Sequence, residues 1–199
     1  MILAHHLIFI AYGFWLPNDP RGSWSTWVRS WDLFRYGPAT KTDTRRSVAA
    51  TTHDAALRRA AKSALRYPPV KFDGLQARAI ARGFAQASKE YGYTIHACAI
   101  LPDHVHLVVA RHARTTEQLR DHLKSRATRQ LNIEAINPMP DVPAKPSPWA
   151  RKGWQAFLDS PEDIERAIRY ARNNPLKDGL REQHWPFVVP WSAGPDGHR

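Results

Sequence analysis

The sequence has little cysteine, no long apolar run and fewer acidic than basic residues. Its one cysteine, Cys98, excludes an internal disulfide framework and a four-thiolate zinc site, and it fits a reducing compartment. No apolar stretch approaches the roughly 20 residues that a membrane-spanning helix needs. Residues 1–10 also lack the basic start of a secretory signal. We therefore expect a soluble, cytoplasmic protein with no membrane partner.

The shortage of acidic residues leaves a strongly basic chain. There are 29 Lys and Arg against 18 Asp and Glu, which gives a formal net charge of +11 over 199 residues. Such a charge attracts polyanions, and nucleic acid is the first candidate, although membrane surfaces and acidic proteins attract cations too. The 8 tryptophans and 6 tyrosines add rings on which unpaired bases can stack. These features favour a DNA partner and association with the nucleoid.

The length of the chain and its hydrophobic content of 43% suit one domain with a real core. We predict a single domain over residues 1–199. An irregular insertion, basic and aromatic, is expected at about 16–70. A proline-rich surface linker is expected at about 137–148.

Hydrophobic periodicity predicts a mixture of strands and helices. The predicted strands cover 7–14, 93–101, 104–110 and 149–158, and the predicted helices cover the second half of 43–67, then 73–91, 115–132 and 160–174. The strands on either side of Pro102-Asp103 are expected to be antiparallel neighbours. The last helix is expected to stop near Asn174, because Pro175 disfavours helical geometry in the residue before it. The fold class is α+β, an antiparallel sheet with helices packed on it.

Two histidines lie two residues apart in the strand predicted at 104–110. Side chains alternate along a strand, so His104 and His106 project from one face while Val105 and Leu107 fill the other. Two neutral imidazoles on a rigid strand make half of a divalent metal site. A hydrogen-bonded pair of structural histidines is the alternative.

The last predicted helix places Tyr170 and Asn174 at the edge of its apolar stripe, one turn apart. The phenol is a latent nucleophile, and the amide oxygen is a neutral hard ligand that suits a divalent cation. The alternative is a tyrosine that packs at the margin of the core and an asparagine that closes the helix.

Three motifs, in this order along the chain, resemble the single-tyrosine transposases of the HUH endonuclease superfamily, and among them the REP-associated tyrosine transposases. The first is an aromatic block that reads Tyr12-Gly13-Phe14-Trp15-Leu16-Pro17-Asn18-Asp19-Pro20-Arg21-Gly22-Ser23. The second is the His-hydrophobic-His motif, which reads Pro102-Asp103-His104-Val105-His106, with Asp103 where asparagine is usual. The third is the tyrosine helix, which reads Tyr170-Ala171-Arg172-Asn173-Asn174-Pro175-Leu176-Lys177-Asp178-Gly179-Leu180.

This resemblance implies a ferredoxin- or RRM-like core and an enzyme, monomeric or homodimeric, that cleaves and rejoins single-stranded or hairpin DNA through a covalent 5′-phosphotyrosine. It implies that Tyr170 is the nucleophile and that His104, His106 and Asn174 hold a divalent metal, Mg²⁺ or Mn²⁺. The expected DNA contacts are the basic and aromatic residues Trp15, Arg21, Trp24, Arg120, Lys124, Arg166 and Lys177.

The sequence leaves three alternatives to this function. A histidine-triad nucleotide hydrolase would need a third histidine where the chain has Val108. A His-x-His metallohydrolase would add a carboxylate and histidine cluster nearby, which the segment 111–114 does not supply. The serious alternative is a domesticated protein of the same fold that binds DNA hairpins and no longer cuts them.

Overall fold

The structure, a computed structural model, describes residues 1–16, 19, 31–37 and 53–192. Its strands are β1 (Ala4–Ala11), β2 (Ile95–Ile100), β3 (His104–Ala110) and β4 (Trp149–Leu158). Its helices are α1 (Trp31–Phe34), α2 (Ala55–Ser63), α3 (Gly74–Tyr91), α4 (Thr116–Ile133) and α5 (Pro161–Lys177). Two predicted DNA contacts, Arg21 and Trp24, lie outside the described residues, as does about half of the insertion predicted at 16–70.

The strands form one antiparallel sheet of 4 strands in the order β2-β3-β1-β4. Since α3 precedes β2 and α4 connects β3 to β4, the core follows the β-α-β-β-α-β order of ferredoxin-like folds. The predicted α+β class and the antiparallel pairing of β2 with β3 are confirmed. An extra helix, α5, follows the last strand.

The sheet is buried on both faces. Helices α3 and α4 pack together and cover one face, which we call the large-core face. Its core includes Leu7, Phe9, Phe84, Leu107 and Leu123. Helix α5 covers the opposite face, the α5 face, over a smaller cluster that includes Ala4, Ala97, Val108, Ile164 and Ala171. Alternation along each strand therefore sends neighbouring side chains into two different environments.

The starts of α3 and α4 follow from their sequence. Asp73 and Gln76 form a capping box at α3, and Thr115 and Gln118 form another at α4. In each box, the side chain of the cap accepts from a backbone N–H that has no partner within the helix, and the Gln accepts from the backbone N–H of the cap. Gly92 ends α3 in a left-handed conformation, φ 73°. The predicted starts of both helices are confirmed.

Strand β1 begins and ends three residues earlier than predicted. The prediction followed the apolar run from Leu7, but His5 and His6 also pair with β3 and β4 as regular strand residues. The strand cannot extend to Phe14, because Gly13 turns the chain with φ +83°. A Cβ at Gly13 would lie 2.8 Å from the Cα of Pro69, so this turn also needs the space that glycine leaves.

The predicted end of the last helix is wrong. Helix α5 continues through Pro175 to Lys177. Proline removes a hydrogen bond and disfavours helix before it, but here the last turn is closed by other donors. The N–H of Asp178 donates to Asn174 O at 3.3 Å, and the N–H of Leu180 donates to Pro175 O at 2.8 Å.

Helix α2 confirms the helix predicted in the second half of 43–67. It begins after its cap, Asp54, and ends at Ser63, before the predicted stop at Pro68. Residues 137–148, the predicted proline-rich linker, contain neither helix nor strand. None of the helices in the described residues is both long and apolar enough to cross a membrane.

One edge of the sheet is covered by the segment that follows α5. The Gln183 side chain accepts from the N–H of Ile100 at 2.7 Å and donates to its carbonyl oxygen at 2.8 Å. Further along, the N–H of Val189 donates to Ile95 O at 2.8 Å. These bonds satisfy backbone groups of β2 that an open edge would leave for another strand.

Candidate active site

The α5 face of the sheet gathers three imidazoles. His104 and His106 come from β3, and their ring centroids lie 4.8 Å apart. His6 comes from the neighbouring strand β1, and its ring centroid lies 5.2 Å from that of His106. In the β1–β3 register, Ile8 is paired with His106. His6, two residues before Ile8, is therefore the diagonal neighbour of His106 on the same side of the sheet.

Each histidine of β3 has its Nδ1 atom already bonded. His104 Nδ1 lies 2.6 Å from Asp103 Oδ1, and His106 Nδ1 lies 3.0 Å from His6 Nε2. A partner on one ring nitrogen fixes the ring orientation and directs the other nitrogen to any ligand. In both rings, Nε2 is therefore the atom that can bind a metal.

Burial keeps two of these imidazoles neutral. Desolvation lowers the pKa of His6 from 6.5 to about 4. Desolvation also lowers the pKa of His106 well below 6.5, and the positive charges that His104, His6 and Lys177 can carry lower it further. Neutral imidazole is the form that coordinates metal ions.

Helix α5 carries Tyr170 to this cluster. The helix starts at the cap Ser160, whose hydroxyl accepts from the N–H of Asp163, and Pro161 fits the first turn. The Tyr170 ring lies edge-on to His106 with centroids 5.3 Å apart, and 6.0 Å from His6. Tyr170 is 45% exposed, so a ligand from solvent can reach it.

Asn174 follows Tyr170 by one turn and is only 8% exposed. Its Nδ2 donates to the carbonyl oxygen of Tyr170 at 3.2 Å. With the amide nitrogen used in this bond, Oδ1 is the atom available to a ligand. Lys177 completes this end of the helix, with Nζ 4.8 Å from the centroid of the Tyr170 ring.

The predicted DNA contacts on α4 lie on the large-core face, away from the histidines. Lys124 is 7% exposed, its Nζ donates to Ala150 O at 2.8 Å, and it lies 5.5 Å from the centroid of the Phe9 ring. Burial lowers the pKa of Lys124 to about 7, and the nearby charge of Arg120 acts in the same direction. Arg120 itself bonds to Asp121 at 2.9 Å. Neither side chain is brought to the Tyr170 cluster.

The remaining predicted contacts differ in position. Arg166 is on α5, is largely exposed and forms an ion pair with Asp163. Trp15 is partly buried against the core of the large-core face, and its backbone φ is 55°. Arg166 and Lys177 are therefore the predicted basic contacts that share an element with Tyr170.

The site offers few charged ligands for a metal. Among the described residues, no group of three His, Cys, Asp or Glu side chains is arranged to hold a metal ion. His104, His106 and Asn174 would supply two imidazole nitrogens and one amide oxygen, all uncharged. Such a set leaves coordination positions for water and phosphate oxygens, as is common for Mg²⁺ and related ions at phosphate sites.

Sequence reasoning missed His6. Its position before an apolar strand gives a weak local signal, since adjacent His5 and His6 could each face either side. What identifies His6 is its bond to His106, a residue 100 positions away in the chain. Only the β1–β3 pairing brings these two residues together.

Comparison with known proteins gives a sequence relative and a structural neighbour. No protein-family model matches the chain. A curated Haemophilus influenzae protein that bears the name REP-associated tyrosine transposase is 27% identical over 110 residues, which are 52% of this chain and 62% of that protein. The solved structure of a REP-associated tyrosine transposase bound to a REP hairpin is 17% identical and has a TM-score of 0.45, over 68% of this chain and 87% of that one. The sequence relative supports the resemblance that the motifs indicate.

Proposed function

We propose that this chain is a DNA transposase that cleaves and rejoins single-stranded or hairpin DNA through Tyr170. The observation that carries the proposal is the Tyr170 ring, half-exposed and 5.3 Å from the centroid of a buried, neutral His106. The net charge of +11 and the sequence relative named as a transposase point the same way.

In the proposed reaction, the phenolic oxygen of Tyr170 attacks the phosphorus of a phosphodiester. The new O–P bond forms as the bond from phosphorus to the 3′ oxygen breaks, so the 5′ phosphate stays on the tyrosine. The phenolic proton is lost to water, and the leaving 3′ oxygen takes up a proton. A different 3′ hydroxyl can reverse this step and rejoin the DNA, because the phosphotyrosine keeps the energy of the original diester.

A divalent metal, Mg²⁺ or Mn²⁺, fits the donor set. His104 and His106 would hold it through Nε2, and Asn174 would hold it through Oδ1. A bound ion supplies Lewis-acid polarisation of the phosphate and neutralises its charge. The uncharged donors leave the positive charge of such an ion available to an anionic substrate.

Two residues position the proposed ligands. Asp103 fixes His104 through the 2.6 Å contact, and His6 fixes His106 through the 3.0 Å contact. Lys177, whose Nζ lies 4.8 Å from the centroid of the Tyr170 ring, would contact the phosphate that the phenol attacks.

The test is the capture of a covalent adduct. The full chain would be incubated with labelled single-stranded DNA from the sequence that flanks its own gene, in Mg²⁺ or Mn²⁺. Wild-type protein should form a denaturation-resistant adduct, and Tyr170→Phe should form none. Tyr67→Phe, which removes a phenolic oxygen outside the site, is the matched control and should behave like wild type.

Binding of the same DNA decides between the two functions left open by the sequence. An enzyme should bind the DNA and form the adduct. Tight binding with no adduct in either metal would support the non-catalytic hairpin-binding protein and overturn the proposed cleavage.

A further inference from the structure

A second polar cluster lies on the large-core face, at the end of the sheet where β1 begins and β3 ends. It surrounds a cavity of about 230 Å³. Its lining includes His5, Arg111, Arg114, Thr115, Thr116 and Phe157. Because His5 and His6 alternate in β1, the cavity is separated by the sheet from the Tyr170 cluster.

His5 reaches this cavity as a buried residue with an unsatisfied nitrogen. The residue is 6% exposed, and its Nδ1 has no hydrogen-bond partner within the described part of the chain. Its ring packs edge-on to Phe157, with centroids 5.6 Å apart. A buried polar atom without a partner costs free energy, and a ligand that bonded to this nitrogen would recover that cost.

The start of α4 supplies backbone donors to the same cavity. The Thr115 hydroxyl accepts from the N–H of Gln118, which leaves the N–H groups of Thr116 and Glu117 without acceptors among the described residues. These groups lie at the positive end of an 18-residue helix, where anions are favoured. The exposed Glu117 side chain does not line the cavity.

Two guanidinium groups make the cavity cationic. Arg111 is exposed and has no acidic partner among the residues that the structure describes. Burial lowers the pKa of the His5 imidazole, and the positive charge of Arg111 lowers it further. Arg114 is held in place by His122, at 3.0 Å, and lies over the Tyr91 ring.

We propose that this cavity binds a phosphate group, with Arg111, the first N–H groups of α4 and His5 as donors. The phosphate can belong to a DNA backbone held away from Tyr170 or to a free phosphate compound. The site does not depend on cleavage, since none of its donors belongs to the Tyr170 cluster.

Nuclear magnetic resonance of the full chain tests the site with inorganic phosphate as the probe. The Thr116 amide signal and the His5 ring signals should shift in a saturable way. Arg111→Gln should raise the dissociation constant for phosphate about tenfold, which is the typical effect of losing one charge-assisted hydrogen bond. Arg78→Gln, which removes an exposed charge from α3, is the matched control and should leave the constant unchanged.

A second measurement identifies the source of the phosphate. The affinity for a single-stranded oligonucleotide would be measured against salt concentration. If the cavity holds a DNA phosphate, Arg111→Gln should reduce the salt slope by about 0.7, and Arg78→Gln should not. If the slope is unchanged but inorganic phosphate binds, the ligand is a free phosphate compound.

The proposal is overturned if phosphate leaves the Thr116 and His5 signals unmoved and the salt slope is the same in wild type and Arg111→Gln. It is also overturned if Arg78→Gln weakens binding as much as Arg111→Gln, because the effect would then reflect total charge only. Both readouts measure binding, so a chain that never cleaves DNA can still confirm the site.

Discussion

The two faces of the sheet bury side chains of different kinds. On the large-core face, α3 and α4 approach so closely that a Cβ at Gly83 would lie 2.6 Å from the Cα of Ala127. Aromatic and leucine side chains fill the space beneath them. On the α5 face, small residues such as Ala97 and Ala171 form a smaller cluster beside His6 and His106.

This difference separates stability from chemistry. Large apolar side chains give the most free energy on burial, so the large-core face should stabilise the fold. Small residues let α5 lie near the sheet, where its side chains meet buried imidazoles. The α5 face buries less apolar surface and keeps polar groups that the proposed reaction would use. Four experiments test this division.

The largest effect is expected from the core of the large-core face. Phe84 is fully buried against Phe9, so Phe84→Ala should lower the free energy of unfolding by about 3–5 kcal/mol. Ile168→Ala on the α5 face should cost less, about 2 kcal/mol, because Ile168 keeps 8% exposure at the edge of a smaller cluster. Urea denaturation measures both. Equal losses would contradict the proposed division.

The next largest effect concerns cleavage. His104→Ala and His106→Ala should each reduce the cleavage rate by about 10²-fold or more, because each removes a proposed metal ligand. DNA affinity should largely remain, since contacts between phosphates and basic residues dominate binding. Single-turnover cleavage and filter binding measure the two quantities. If both variants cleave at the wild-type rate, the metal assignment is wrong.

A smaller effect should follow from His6, which positions His106 and is not itself a proposed ligand. His6→Ala should lower the affinity for Mn²⁺ by about 10–100-fold, and His6→Gln should retain part of it, because an amide can still bond to His106 Nδ1. Calorimetric titration with Mn²⁺ gives the values. His184→Ala removes an exposed imidazole as a control. If His6→Ala binds Mn²⁺ as tightly as the wild type, His6 only packs against His106 and does not position it.

The smallest effect tests the one lysine found buried in the described part of the large-core face. The pKa of Lys124 is about 7 in the folded chain and ordinarily 10.5. Between these values the unfolded chain holds a proton that the folded chain has lost, so rising pH favours folding. Relative to Lys124→Met, the free energy of unfolding of the wild type should therefore rise by on the order of 1.4 kcal/mol per pH unit in this range. Denaturation at pH 7.5, 8.5 and 9.5 measures this, and parallel curves would refute it.

The sequence predicted features that depend on local chemistry. The boxes that start α3 and α4 each lie within four residues, and strand β4 was predicted with its observed bounds. Alternation in β3 placed His104 and His106 on one face, as their 4.8 Å contact requires. These features need no knowledge of distant residues.

Features that depend on distant contacts were missed. His6 acquires its role from a strand 100 residues away, and nothing near it in the chain indicates this. Lys124 was predicted to face DNA as one of several basic residues on α4, but its Nζ finds the carbonyl oxygen of Ala150 on β4. The end of α5 was misplaced because the bonds that close its last turn come from Asp178 and Leu180, beyond the proline.

The alternation of His5 and His6 in β1 makes strand register a requirement for both proposed sites. His5 is paired with Val109 and His6 with Val108. A slip of one residue would send every β1 side chain through the sheet to the opposite face. A slip that paired His5 with Val108 would put His5 in the place of His6 and would move His6 opposite Leu107, so neither imidazole would keep its present neighbours. A single frame of pairing thus keeps the two proposed sites on separate sides of the sheet, although their histidines are joined by one peptide bond.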